Sequence, residues 1–398
     1  MGASTTTRRS YFSEIRDYGP LQRYIPRIRS APRIIFATSA TRKCGFVSSL
    51  CRHGVYGRKG PEPLAPRRNM SFRVGLIGAG GIARAHLPAW LALGADVTVH
   101  SVAGQEALVA ECGGTVVDSL DDLLAACDVV DIVTPTPTHR ELAERALRAG
   151  KDVVCEKPLG RTPDDAKAIV DLAAGLGRQV YPGHVVRFFP EYAAMHRAVA
   201  DSVIGTPAVA RFTRTGSFPQ WAAWFADDAQ SGGVVFDLMI HDLDIARWTM
   251  GEVTEVYATA ARDRSSSGVE VSVAEAVLTH EGGAISYVRA VWGPPGTTFW
   301  TSFNVAGDGG VLRHDTRDEK SFRLDGGASA AEGAMLPDLS FVESPYLTEL
   351  REFASAFAGG PTPRVTGEDG AIAVRLAAAV QASIELGRGV AFGEEAVR

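Results

Sequence analysis

The run GVVFDLMIHDLDIARW, residues 233–248, sets Asp237, His241 and Asp244 among Val, Leu, Met and Ile. Ionisable groups in an apolar helix need partners, because burying an uncompensated charge is expensive. At helical spacing, positions 237, 241, 244 and 248 fall at i, i+4, i+7 and i+11. Asp237, His241, Asp244 and Trp248 are therefore expected on one face, with Asp242 pointing away. A histidine titrates near neutral pH and suits the removal of a hydroxyl proton as a hydride leaves the same carbinol. A carboxylate one turn earlier can orient the imidazole or hold a substrate hydroxyl. A lysine ammonium can stabilise the developing oxyanion. Such a lysine stands in Cys155-Glu156-Lys157-Pro158-Leu159, at the end of an apolar run. The plainer readings are a structural His–Asp pair and a surface Lys157–Glu156 pair. A metal site from Asp237, His241, Asp244 and His184 has no motif behind it, and no metal is expected.

The elements that must position these groups begin at Arg73. Short Val- and Ile-rich runs at 73–78, 97–102, 115–117, 128–133 and 152–155 alternate with helical stretches at 82–94, 119–126, 138–149 and 163–176. That alternation predicts a parallel sheet covered on both faces. The first turn reads Gly78-Ala79-Gly80-Gly81-Ile82-Ala83, a G-x-G-x-x-A that follows a strand and opens a helix. Gly78 permits the tight turn, Gly80 lets backbone approach a pyrophosphate, and Gly81 and Ile82 lead into a helix start that favours anions. NAD sites usually carry a carboxylate about 20 residues on. Here the second strand ends at His100 and Ser101, with Asp96 at its start and Glu106 beyond it. The cofactor expected is NAD or NADP. The missing carboxylate tips the choice slightly to NADP, although no Arg or Lys follows.

After residue 203 the pattern changes. Candidate strands at 207–215, 253–262, 270–279, 284–292 and 299–306 precede helical periodicity at 344–358 and 366–387. Runs of strands after a βαβ half predict a second domain of different construction. His184 and Arg187, in YPGHVVRFFP, follow a strand-like run and could reach the same cleft; a structural role is the equal alternative. Trp224, near Trp221 and Phe225, offers an aromatic face to a sugar, with core packing as the plainer reading.

The chain has 398 residues, 45% hydrophobic and 22% charged, which suggests two folded domains. The net charge of −5 hides an asymmetry, because residues 1–69 carry 14 Arg/Lys against Glu14, Asp17 and Glu62. The acidic remainder argues against nucleic acid or an anionic membrane as partner. Five cysteines without zinc-type spacing fit a reduced, cytoplasmic protein. No apolar run is long enough to span a membrane. Residues 1–69 read as a basic, unstructured extension without function, with Met70 opening MSFRVGLIGAG as an alternative start. A transit peptide or a basic nucleic-acid-binding arm is the alternative.

The glycine turn, TPTPTH (134–139), EKPL (156–159) and DLMIHDLD (237–244), in that order, resemble the Gfo/Idh/MocA family of NAD(P)-dependent oxidoreductases over residues 72–398. The resemblance implies an α/β protein with a Rossmann doubly wound parallel sheet at 70–190. It implies a C-terminal α/β domain at 191–398 with a largely antiparallel sheet, whose open face commonly forms homo-oligomer contacts. The last helix is expected to pack back on the first domain. Thr134, Pro135, Thr136 and His139 look like the family's loop over the nicotinamide ribose, with Glu156 and Lys157 beside it. The family's catalytic roles fall on Lys157, Asp237 and His241. The function implied is hydride transfer between nicotinamide and a CH–OH or C=O group of a small sugar, polyol or cyclitol. The alternatives are an NAD-dependent glycoside hydrolase of the same fold and a non-catalytic nucleotide-sensing regulator.

Overall fold

Near-continuous Val and Ile runs pair in the first half of the chain as a sheet buried on both faces. The elements, in a computed structural model describing residues 72–220, 222–264, 270–318, 322–325 and 343–393, follow in strict alternation. They are β1 (Arg73–Ile77), α1 (Ala83–Ala92), β2 (Asp96–His100), α2 (Gln105–Cys112), β3 (Thr115–Val116), α3 (Leu120–Ala126), β4 (Val129–Ile132), α4 (His139–Arg148), β5 (Asp152–Glu156), α5 (Pro163–Gly175) and β6 (Val180–Gly183). The strand order is β3-β2-β1-β4-β5-β6, with every pair parallel. The order reverses between β1 and β4, the switch point at which open α/β sheets bind ligands. Just past Lys157, Thr162 and Asp165 form a reciprocal capping box and Pro163 opens α5. The chain leaving Lys157 therefore enters a firmly started helix. Residues 1–69, expected to form an extension, lie outside the described residues.

The second half adds α6 (Pro190–Ala200), β7 (Pro207–Ser217), α7 (Asp228–Ser231), a π-helical turn (Val235–Met239) and α8 (Ile240–Met250). It continues with β8 (Val253–Arg264), β9 (Glu270–His280), β10 (Ile285–Gly293), β11 (Trp300–Gly307), β12 (Gly310–Asp315), β13 (Phe322–Asp325), α9 (Pro345–Phe357), α10 (Gly367–Leu386) and β14 (Val390–Ala391). The sheet order is β13-β12-β11-β7-β10-β9-β8-β14. All neighbours are antiparallel except β7 and β10. In β10, Val288, Ala290 and Trp292 point inward while Tyr287 and Arg289 point out, the two-residue period of a strand with one buried face. The outer face leaves Tyr257 and Tyr287 49% and 42% exposed.

One apolar cluster runs from Ile132, Val153 and Leu159 under the first sheet through Phe236, Met239 and Leu243 to Phe212, Val288 and Trp292. The two sheets thus share packing around α8. On the other face of the first sheet, α9 sets Leu350 and Phe353 against Leu87 and Trp90 of α1. Helix α10 approaches β6 so closely that a Cβ on Gly370 would lie 2.7 Å from the Pro182 ring.

The structure departs from the sequence reading in several elements. Helix α6 and strands β12, β13 and β14 were not expected; β13 and β14 are the short strands at the two edges of the sheet. The helix expected over 233–248 is divided, with one π turn before α8. The extra residue in that turn shifts the phase of everything after it, so the expected single stripe splits. Asp242 is buried and receives two 2.9 Å hydrogen bonds from Arg214 of β7. Asp244 is buried against Arg187.

Removing one member of a buried ion pair strands the other. Asp242→Ala is therefore expected to cost about 3–5 kcal/mol of unfolding free energy, read by denaturant titration. A loss below about 1 kcal/mol would show that Arg214 finds another partner.

Candidate active site

The glycine turn leaves β1 at the switch point. Gly78 has φ of +114°, and a Cβ there would meet the Val133 carbonyl oxygen at 2.7 Å, so only glycine fits. Its N–H donates to the His100 carbonyl at 2.9 Å. Around Gly80 and Gly81 a Cβ would find no atom within 4 Å. Ile82 opens α1 without a side-chain cap, which leaves backbone N–H groups free for an anion. Open backbone, an uncapped helix start and this strand order fit the pyrophosphate of a dinucleotide.

At the end of β2, the His100 ring lies 3.3 Å from the Val117 carbonyl and the Ser101 N–H donates to the Gln105 side chain at 2.6 Å. Glu106 is exposed on α2, where it accepts a hydrogen bond from Gln105. The strand tip itself holds no carboxylate. Across the switch point, Thr134 and Thr138 share a 2.7 Å hydroxyl contact; Pro135 is exposed and Thr136 buried. His139 is buried beneath this loop, with its ring nitrogens 2.8 Å from the Pro158 carbonyl and 2.9 Å from that of Thr134. It braces the loop against the Lys157–Pro158 segment. Burial pushes its pKa down.

Lys157 leaves the tip of β5 and its ammonium donates to the Asp237 carbonyl at 2.7 Å and the Asp237 carboxylate at 3.0 Å. Both side chains remain partly open, at 16% and 22%. Several ties bring Asp237 there. Gly232 takes a left-handed φ of +75°, and a Cβ on it would strike Phe236 at 2.5 Å. Arg161, four residues after Lys157, donates to the Asp228 and Ala229 carbonyls and lies over the Phe236 ring. The π turn then aims Asp237 at Lys157.

His241 lies one turn further on, half-buried, with Nδ1 buried and without a hydrogen-bond partner among the described residues. Burial first, then the charges of Lys157, Arg214 and His184, hold its pKa well below the usual 6.5. The ring is thus a neutral base at ordinary pH. Asp237 was expected to orient this imidazole or to hold a substrate hydroxyl; its observed hydrogen bonds go to Lys157, because the π turn rotates it toward β5.

His184, Arg187 and Trp224 are placed differently. Arg187 is 1% exposed. It grips Asp244 at 2.5 and 2.8 Å and the Arg364 carbonyl at 2.6 Å, which ties the end of β6 to α8 and to the start of α10. His184 is buried with neither ring nitrogen hydrogen-bonded among the described residues. Trp224 is partly exposed and stacks on Phe225, ring centroids 4.0 Å apart. Trp248, expected on the catalytic stripe, stacks on His196 at 3.7 Å. Among the described residues no three His, Cys, Asp or Glu side chains gather as metal ligands. No described helix is long and apolar enough to cross a membrane.

The sequence reading passed over His86 and Asp131, buried beside Glu156. The available signals were a histidine on the inward face of GIARAHLPAW, and an aspartate in the middle of the otherwise apolar DVVDIV.

A G-x-G-x-x-A turn at the switch point of a parallel sheet, with a lysine bonded to a carboxylate at another strand tip of that sheet, is an arrangement that fits a nicotinamide-dependent oxidoreductase. Residues 72–184 match the oxidoreductase family with an NAD-binding Rossmann fold, and residues 192–313 match the GFO/IDH/MocA C-terminal domain. The D-apiose dehydrogenase of Paraburkholderia graminis is 30% identical over 80% of this chain and 89% of its own. The inositol 2-dehydrogenase of Rhizobium meliloti is 30% identical over 79% and 97%. A levoglucosan dehydrogenase solved in complex with NADH superposes with a TM-score of 0.72 at 20% identity, over 81% of this chain and all of that one, a likeness of fold. The chain belongs to the Gfo/Idh/MocA oxidoreductase family.

Because His241 binds a proton less readily folded than unfolded, its contribution to stability is full above about pH 6.5 and falls as pH drops below that value. Between pH 7.5 and 5.5 the wild-type protein should lose more unfolding free energy than His241→Asn. Equal losses would mean that the ring titrates normally.

Proposed function

We propose that the chain transfers a hydride between a nicotinamide dinucleotide and a CH–OH or C=O group of a sugar, polyol or cyclitol-like substrate. The carrying observation is the Lys157 ammonium, held by Asp237 beside a neutral His241, at the carboxyl edge of the parallel sheet. When bound, the nicotinamide supplies the hydride acceptor or donor. Gly78, Gly80, Gly81 and Ile82 form the turn and helix start for its pyrophosphate. Thr134, Pro135 and Thr136, braced by His139, line the nicotinamide side with Glu156 behind them. In the oxidative direction His241 takes the hydroxyl proton on a ring nitrogen. Lys157 stabilises negative charge on the substrate oxygen and can pass a proton, while Asp237 fixes the ammonium. Trp224 offers a face to the substrate's C–H groups, and His184, buried with its Nδ1 3.7 Å from Asp244 Oδ2, acts from behind the cleft wall. Arg187, already committed to Asp244, acts through the shape of the cleft wall.

His100 and Ser101 leave a 2′-phosphate unopposed, which favours NADP slightly, while the family's NAD-binding description and the NADH-bound neighbour favour NAD. The dehydrogenase relatives favour redox turnover over glycoside hydrolysis or pure nucleotide sensing. We further infer a cytoplasmic homo-oligomer that acts on small molecules and uses neither nucleic acid nor membrane. The described cysteines, Cys112, Cys127 and Cys155, are free thiols. The open sheet face supplies Tyr257 and Tyr287 for a second copy.

A screen of polyols and sugars with NAD and with NADP, followed at the nicotinamide absorbance, tests the reaction class. On the substrate so found, His241→Ala and Lys157→Ala should each lower turnover by roughly 10²–10⁴-fold, the scale of general acid–base catalysis, with cofactor binding retained. Unchanged turnover in His241→Ala would sink the assignment of the base; product formed without net cofactor reduction would point to the hydrolase. Tyr287→Asp should shift the mass measured by light scattering toward a monomer, and an unchanged oligomer would move the interface elsewhere.

A further inference from the structure

Behind Lys157 lies a buried group of ionisable side chains, of which the proposed chemistry places only Glu156. His86, on the inward face of α1, is fully buried. Its Nδ1 lies 2.9 Å from Asp131 Oδ2 of β4, and its Nε2 lies 3.2 Å from Glu156 Oε1 of β5. Ionised carboxylate oxygens only accept hydrogen bonds, so a ring placed between two negative charges is best satisfied when it donates from both nitrogens. Glu156 is held on its other side as well, because Oε2 accepts the Lys157 backbone N–H at 2.9 Å. Gly183 of β6 makes room for that carboxyl, since a Cβ there would lie 3.0 Å from Oε1. Asp131 Oδ2 also accepts the Trp90 indole N–H at 2.7 Å.

We infer that His86 is a positioning residue for hydride transfer: as a buried imidazolium it bridges Asp131 and Glu156, and through Glu156 it fixes the backbone from which Lys157 reaches the reacting oxygen. The inference rests on the catalytic reading of Lys157. The bridge crosses from α1, the helix that starts at the phosphate turn, to β5, the strand that ends at the lysine. The two halves of the site are thereby held at a fixed separation. Two groups of α9 close the cluster: the Tyr346 ring, 5.7 Å from that of His86, and Glu349, whose carboxyl oxygens have no hydrogen-bond partner among the described residues. Burial, with Glu156, Asp131 and Glu352 nearby, pushes Glu349 well up toward its neutral acid, against the opposing pull of His86. A neutral Glu349 does not compete for the imidazolium. Burial alone would discharge His86; the charges and hydrogen bonds of Asp131 and Glu156 outweigh it and keep the ring's pKa well above 6.5.

The test has one arm that is independent of turnover. In the full-length protein labelled with ¹⁵N-histidine, the His86 ring should show two protonated nitrogens at pH 7.5. The signal is assigned by its loss in His86→Gln, or by its displacement in Glu156→Gln where the first variant does not fold. A neutral ring overturns the bridge. In the second arm, a displaced lysine should lower kcat by about 10-fold to 10²-fold in His86→Gln, the scale of a misplacement near 1 Å, with KM for the cofactor within about twofold. In the Glu156→Gln background the same change should cost little further, since His86 then has no carboxylate at Glu156 to act through. Full additivity, or an unchanged kcat beside a doubly protonated ring, overturns the positioning role. Lys157→Ala, run in parallel, separates the two claims: undiminished turnover there removes the catalytic reading, whatever the ring's state.

Discussion

The contact between Lys157 and Asp237 is the constraint on which the rest of the molecule depends. It joins the tip of a strand in the parallel sheet to a helical turn that packs under the other sheet, 80 residues later in the chain. An ammonium and a carboxylate held 3.0 Å apart with partial access to solvent keep their geometry only if both backbones are rigid. The surrounding ties serve that end. Arg161 fixes the approach to the π turn, Arg214 holds Asp242 from one side of α8, and Arg187 holds Asp244 from another. Each tie is a bidentate or multiply bonded guanidinium, the side chain whose planar fork loses little freedom on pairing.

The same ties explain why ions outside the reaction lie so deep. Arg187, Asp242, Asp244 and His86 are each 2% exposed or less. Buried pairs of this kind contribute little net stability compared with apolar replacements, yet they tolerate only one arrangement of partners. In this fold they hold α8 from two sides, next to the π turn that carries Asp237 to Lys157. Asp369 shows the cost of such placement being offset: burial would raise its carboxyl, but Arg187, Arg247 and the Thr366 cap bring it down to about 2. The electrostatics at the site then follow from position. Burial, reinforced by Lys157 and Arg214, keeps His241 neutral, while Asp131 and Glu156 outweigh burial and keep His86 charged. Two histidines in one chain are driven in opposite directions.

Much of this was legible in the sequence because it is local. Alternating Val/Ile runs and helical stretches gave the parallel sheet, the glycine turn at 78–83 stood in its confirming context, and EKPL marked the end of β5. The strands from 207 to 307 carried their period, so the change of architecture was visible too. What escaped depends on residues far apart. A π turn adds one residue to a helix without changing which residue types appear, and the helical spacing from Asp237 to Trp248 therefore predicted one stripe where the structure makes two. Arg187 reads from sequence as a residue near the cleft; only the fold shows Asp244 and the Arg364 carbonyl consuming its donors. His86 needed Asp131 and Glu156, 45 and 70 positions away, before it could be recognised as charged.

The most direct test of the central contact is a double-mutant cycle on the hydride-transfer step, measured in single turnovers with Lys157→Met, Asp237→Asn and the pair. Residues that act as one unit give non-additive losses. The account predicts that the double variant loses about as much rate as the more damaged single variant. Losses that multiply would contradict it, because Lys157 and Asp237 would then act separately.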